Sequence, residues 1–200
     1  MKRHNFIGLA YQFWNLTREA ITEMDKLDNR NFIASDYDPS ISEEESRKNY
    51  EFKTRWNDFN VGVPILFNFY HGLELYMKGL LQEIGELKNV NLNHGLKDLL
   101  YRIIENEDSL TNEIVELLKF YLGSDNPFHQ FFLDNNGDVD KFYLFLRYPT
   151  PKSGERSYLF KEIRGNEQVG LERFKLIKKG CVDLKQAIVN WQKNVAQQHL

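Results

Sequence analysis

Cysteine is nearly missing from this 200-residue chain: Cys181 stands alone, which excludes an internal disulfide and a cysteine-built zinc site. Long apolar runs are missing as well. None reaches the roughly 18–20 residues that a bilayer-spanning helix needs. The opening MKRHNFIGLAYQFWN carries basic and then apolar residues, without the continuous apolar stretch and small-residue cleavage site of a signal peptide. The expectation is a cytoplasmic protein with no membrane partner. Neither sign of charge dominates, since 26 Lys and Arg against 29 Asp and Glu leave a net charge of −3. That argues against a broad nucleic-acid-coating surface and leaves room for a local basic patch. The five histidines are scattered, with no pair at helical spacing and no carboxylates patterned around them as a metal site requires. No metal and no cofactor is expected. A Gly-x-Ser-x-Gly turn and a phosphate-cradling glycine loop are both absent, so nucleophilic catalysis has little support. Cys181 falls in the apolar register of the last helix and reads as core.

What is present suits one globular domain spanning 1–200. The hydrophobic share of 42% and charged share of 28% separate the chain from disordered sequences, and its length suffices for a substantial core. Aromatic residues gather in 50–80 and 120–160. From Asn5 to about Leu27, apolar residues recur at the three- and four-residue steps of one helix face. Residues 29–40 read as a loop. Ser42-Glu43-Glu44-Glu45 matches a capping box, and the helix it opens is expected to run through Trp56 and Phe59. Pro64 predicts a break or kink near 60–64, because proline lacks the amide donor that a helix interior uses. The next helix carries Leu66, Phe69, Tyr70, Leu73, Met77, Leu80 and Ile84 on one face and ends at Gly85. Shorter helices are expected from His94 to about Glu105 and from Ser109 to about Leu122, and a long one from Leu171 to about Ala196. Region 123–168 is rich in turn residues. Its segments Phe142–Tyr148 and Ser157–Phe160 flank PTPKSG, which suits either a small β-hairpin or an ordered loop. The predicted fold class is all-α: an antiparallel bundle of about five to six helices, with an irregular aromatic insertion over one end or side.

Three places carry polar residues that could do chemistry. Glu74 and Lys78 lie one turn apart, and with His71 and Gln82 they fall in an arc of roughly 80° away from the apolar stripe. A solvated surface pair explains this; so does a polar strip lining a groove. His94 precedes Gly95-Leu96-Lys97-Asp98-Leu99 at an expected helix start, where a histidine can be structural, sit beside an anion, or act as acid or base. His71 and His129 carry less signal. Arg147-Tyr148-Pro149, followed by Lys152, Arg156 and Lys161, is the most basic and aromatic segment. Arginine forks bind phosphate or carboxylate, and tyrosine offers a stacking face. The same arginine could equally anchor the loop to a helix carboxylate such as Glu74.

Taken together, YHGLELYMKGLL, a following glycine, NHGLKDLL, and a late RYP with Lys-Ser-Gly behind it resemble the HEPN superfamily over residues 60–165. The resemblance implies a compact helical bundle, often a homodimer, in the bacterial cytoplasm. It implies a setting of defence or toxin–antitoxin systems, and either RNA cutting or the binding of RNA, a nucleotide or a partner protein. Cutting members use an Arg followed four to six residues later by His. No arginine here has a histidine at that distance. The positions that match are Glu74, Lys78, His94 and Arg147, with Tyr148 and Lys152 beside them. The reading is a non-catalytic HEPN-like domain that binds RNA, a nucleotide or a partner. The alternative is a divergent metal-independent ribonuclease in which His94 or His129 meets Arg147 in space, and a helical scaffold with no ligand is a third.

Overall fold

The computed structural model describes residues 4–31, 40–89, 95–151, 154 and 157–198; His94, Lys152 and Arg156 lie outside the described residues. Eight α-helices are found among them: α1 (Phe6–Lys26), α2 (Glu43–Thr54), α3 (Asp58–Glu83), α4 (Leu96–Glu105), α5 (Asn112–Leu122), α6 (His129–Asp134), α7 (Phe142–Phe145) and α8 (Glu167–Gln198). No strand occurs among the described residues. The all-α bundle is therefore the fold, and the two segments beside PTPKSG form no strand among the described residues: 142–145 form α7, and Tyr158 N–H donates to Pro149 O at 3.0 Å. No helix among the described residues is long and apolar enough to cross a membrane.

Helix starts follow the local chemistry. Asn5 Oδ1 accepts from Gly8 N–H at 3.0 Å, and Ser42 Oγ accepts from Glu45 N–H at 3.2 Å, with three glutamates in that first turn facing the positive end of the helix dipole. The boundary between α2 and α3 departs from expectation. α2 stops at Thr54, Asn57 Oδ1 caps Asn60 N–H at 2.9 Å, and α3 then runs unbroken through Pro64. The missing proline donor removes one bond near an exposed position, and the rest of α3 is held by packing.

α3 is the axis of the molecule. α1 lies antiparallel to it, with Ile7 beside Gly79, Trp14 beside Gly72 and Asn29 beside Asp58. A Cβ at Gly72 would run into the Trp14 indole, and one at Gly79 into the Ile7 side chain; the missing side chains let the two backbones close up. Trp14 Nε1–H donates to Phe69 O at 3.2 Å in that seam. α4, α7 and α8 also pack against α3. The 123–168 insertion is part of the core and no mere cover: Phe128, Phe131, Phe132, Phe142 and Phe145 are buried in the same cluster as the long helices. Asn126 fastens it by donating from Nδ2 to Tyr70 Oη and to Tyr121 O, both at 2.6 Å, while Oδ1 accepts from Phe128 N–H at 2.8 Å.

Asp58, fully buried, ties three helix ends together. Its Oδ1 accepts from Gly165 N–H at 2.8 Å, and its Oδ2 accepts from Asn166 N–H at 2.9 Å and Asn29 Nδ2 at 3.1 Å. Asn29 in turn accepts from Asp58 N–H at 2.6 Å and donates to Glu167 O at 2.6 Å, holding a left-handed φ of 53° that asparagine tolerates. Asp58→Ala should cost about 2–4 kcal/mol, because it strands buried donors as well as losing the bonds; urea unfolding measures this directly. Cys181 is buried on α8, and burial pushes its thiol up. It should react with a thiol reagent at about pH 8 only as the protein unfolds, since thiolate is the reacting form; reaction with the folded chain at the rate of a free thiol would contradict this packing.

Candidate functional site

On α3 the sequence places His71, Glu74 and Lys78 at steps of three and four, so their side chains share one face. Lys78 Nζ donates to Glu74 Oε1 at 2.6 Å. His71 Nδ1 stands 3.4 Å from Glu74 Oε2, outside hydrogen-bond alignment. The expectation of a solvated face is overturned: the side chains of Glu74 and Lys78 are 2% and 7% exposed. Between Phe69 and Leu81 every residue of α3 is buried except His71. Packing of neighbours on most sides of α3 leaves no polar side to face water. A buried pair of this kind owes its net energy to good geometry, because desolvating both charges offsets much of their attraction.

The His71 ring meets Phe13 of α1 edge-on at 4.7 Å and stacks on Phe67 at 5.9 Å. Phe67 in turn lies 5.8 Å from the ring of Tyr143 on α7. Tyr143 Oη accepts from Arg147 Nη1 at 2.8 Å, and the guanidinium sits 5.0 Å from the Tyr143 ring centre and 5.3 Å from that of Tyr148. Arg147 and Tyr148 are exposed. The proposed anchor between Arg147 and Glu74 is not formed; aromatic rings separate the buried ion pair from the exposed guanidinium. Lys161 is spent within its own segment, 3.0 Å from Asp134, whose carboxyl Gln130 and Lys161 hold below its ordinary value. His129 begins α6 and is half-buried.

The start of α4 is already occupied by the chain's own carboxylates. Lys97 N–H donates to Asp140 Oδ1 at 2.8 Å, and Lys97 Nζ donates to Asp138 Oδ2 at 2.6 Å, a bond that lowers the Asp138 pKa. An anion at that amide would have to displace Asp140. The same contacts fix the turn at 139–141 that leads into α7, so they also set where Tyr143 and Arg147 stand. Of the residues singled out in the sequence, Glu74 and Lys78 come together, Arg147 and Tyr148 come together, and a line of contacts runs from His71, beside Glu74, through Phe67 and Tyr143 to Arg147. His71 and Tyr143 are the members that the sequence left in the background. Their signals were the three-residue step from His71 to Glu74 and the four-residue step from Tyr143 to Arg147. No group of three or more His, Cys, Asp and Glu among the described residues could hold a metal ion.

Lys78→Met should destabilise the fold by about 3–5 kcal/mol, because it leaves the Glu74 charge buried without its ammonium partner. Adding Glu74→Leu should recover a large part of that loss in a urea double-mutant cycle; strictly additive losses would show that the two charges are not coupled. Comparison with protein-family models, with curated proteins and with solved structures gave no match.

Proposed function

We propose that this chain is a non-catalytic, HEPN-like helical domain that binds RNA through the Tyr143–Arg147–Tyr148 surface, as a homodimer in a bacterial defence or toxin–antitoxin setting. The observation that carries this reading is the Arg147 guanidinium. It is exposed, oriented by the Tyr143 hydroxyl, and flanked by two tyrosine rings, with no carboxylate partner among the described residues. Such a group offers free N–H donors to a phosphate while the neighbouring rings offer stacking faces to bases. The sequence motifs shared with HEPN domains and the all-α bundle agree with the reading. Its non-catalytic character rests on the missing Arg–His spacing and on the partner of Arg147, which is a tyrosine.

Fluorescence anisotropy with a labelled single-stranded RNA, alongside a cleavage assay in EDTA, tests both halves. Saturable binding weakened about tenfold in Arg147→Ala, the scale of one lost charge-assisted contact or base stack, with the RNA left intact, is the expected result. RNA cutting by the purified chain that vanishes in Arg147→Ala would overturn the non-catalytic half. Binding indifferent to that substitution would overturn the site.

A further inference from the structure

The buried Glu74–Lys78 pair has a polar neighbour that reaches the surface. Between Phe69 and Leu81 every residue is buried except His71, whose side chain keeps 23% of its surface exposed. The imidazole is held on three sides. Phe13 of α1 meets it edge-on, Phe67 lies nearly parallel to it at an interplanar angle of 16°, and Glu74 Oε2 stands 3.4 Å from Nδ1. Nδ1 is shielded from water and makes no hydrogen bond among the described residues. The ring edge left to solvent is therefore the one that carries Nε2.

A shielded polar atom without a hydrogen bond is costly, and the carboxylate beside Nδ1 is the group that can relieve it. The gap is only a little longer than an ordinary hydrogen bond of about 2.9 Å, so a small turn of the ring brings Nδ1–H onto Glu74 Oε2. Bonds of this kind are long in an empty site and tighten when a ligand binds. Lys78 already answers the charge at Oε1, which keeps the carboxylate in place behind the ring. An uncharged imidazole that gives its Nδ1–H to a carboxylate presents Nε2 outward as an acceptor. From His71 the surface continues over Phe67 and Tyr143, both partly exposed, to the Arg147 guanidinium. The acids at the turn before α7, Asp138 and Asp140, are bound by Lys97.

We propose that His71 is a specificity-determining contact of the RNA surface: its Nε2 accepts a hydrogen bond from a ribose 2′-hydroxyl of the strand whose phosphate lies on Arg147. The inference rests on the RNA-binding reading of the Arg147 surface and adds to it the choice of RNA over DNA. The two ends of the line have opposite chemistry. Arg147 carries donors alone and so takes a phosphate oxygen, which RNA and DNA share. An acceptor at His71 gains nothing from a phosphate, which also only accepts; it needs a donor, and the 2′-hydroxyl is the donor that RNA has and DNA lacks. With two rings standing between the contacts, a strand rather than a mononucleotide spans them. Glu74 acts through His71 as a positioning residue, and Phe13 and Phe67 keep the ring from turning away.

Fluorescence anisotropy with a labelled single-stranded RNA and with the deoxyuridine-containing DNA of the same sequence provides the test. The chain should bind the RNA about tenfold more tightly, the scale of one hydrogen bond whose loss leaves its partner unsatisfied. His71→Phe, which keeps an aromatic ring between Phe13 and Phe67, should bring RNA affinity down to the DNA value and leave DNA binding unchanged, whereas Arg147→Ala should weaken both. Circular dichroism checks that the variant is folded. Nitrogen NMR of the unaltered chain needs no variant: the His71 imidazole resonances should move on addition of RNA and not of DNA, with His4 and His129 as internal controls. Equal affinity for the two strands, unmoved His71 resonances, or discrimination that survives in His71→Phe would overturn the proposal and leave the Arg147 site standing. Binding of neither strand would overturn that site and this contact together. RNA cutting in EDTA that vanishes in His71→Phe would make His71 a catalytic group and overturn its role as a binding contact.

Discussion

Helix α3 is enclosed by its neighbours over most of its length, and its buried Asp58, Tyr70, Glu74, Tyr76 and Lys78 find their partners inside the protein. Asp58 does so with the amides of Gly165 and Asn166. Tyr70 receives a hydrogen bond from Asn126, and Tyr76 donates its hydroxyl to Leu184 O at 3.0 Å. Glu74 and Lys78 neutralise one another one turn apart. These bonds run from α3 outward to the α1 end, the 123–168 insertion and α8. The same enclosure that makes α3 costly to leave unpaired therefore makes it the element that locates the others.

The candidate RNA-binding surface inherits its geometry from that axis. Phe67 reaches from α3 to Tyr143, and Tyr143 holds Arg147. On the other side, Asp138 and Asp140 bind the turn before α7 to the start of α4, which packs on α3 in its turn. A short helix of four residues would have little stability alone. Held at both ends, α7 can present a tyrosine and an arginine in a defined relation. The aromatic insertion thus works as a wall of the core that carries an exposed polar edge.

Charge is distributed unevenly around this frame. Arg30, Arg47, Arg102 and Arg173 are each answered by a nearby carboxylate, which leaves them little field for a distant ligand. Arg147, Arg55 and Arg164 are instead set against aromatic rings. Those rings restrict a guanidinium without neutralising it, so the places where charge remains available are few and chemically defined. A net charge of −3 conceals this arrangement entirely.

Helical periodicity and capping residues determined most of the secondary structure: the spacing along 5–27 and 171–196, and the box opened at Ser42, correspond to α1, α8 and α2. The same periodicity placed Cys181 on the core face of the last helix, where it is buried. Tertiary structure decided the rest. Pro64 was the louder local signal for a break, yet Asn57 and the Asp58 junction placed it at 55–57, because packing along α3 outweighs one missing donor. Periodicity set Glu74 and Lys78 apart from the apolar stripe, but it could not reveal how many sides of α3 would be covered. Burial depends on neighbours brought from 6–26, 96–105 and 167–198, and a single helix wheel contains no information about them. The motif residues themselves were legible one by one; that contacts lead from His71, beside the buried pair, through Phe67 and Tyr143 to Arg147 was not, since ring contacts between α3 and α7 leave no pattern in either segment alone.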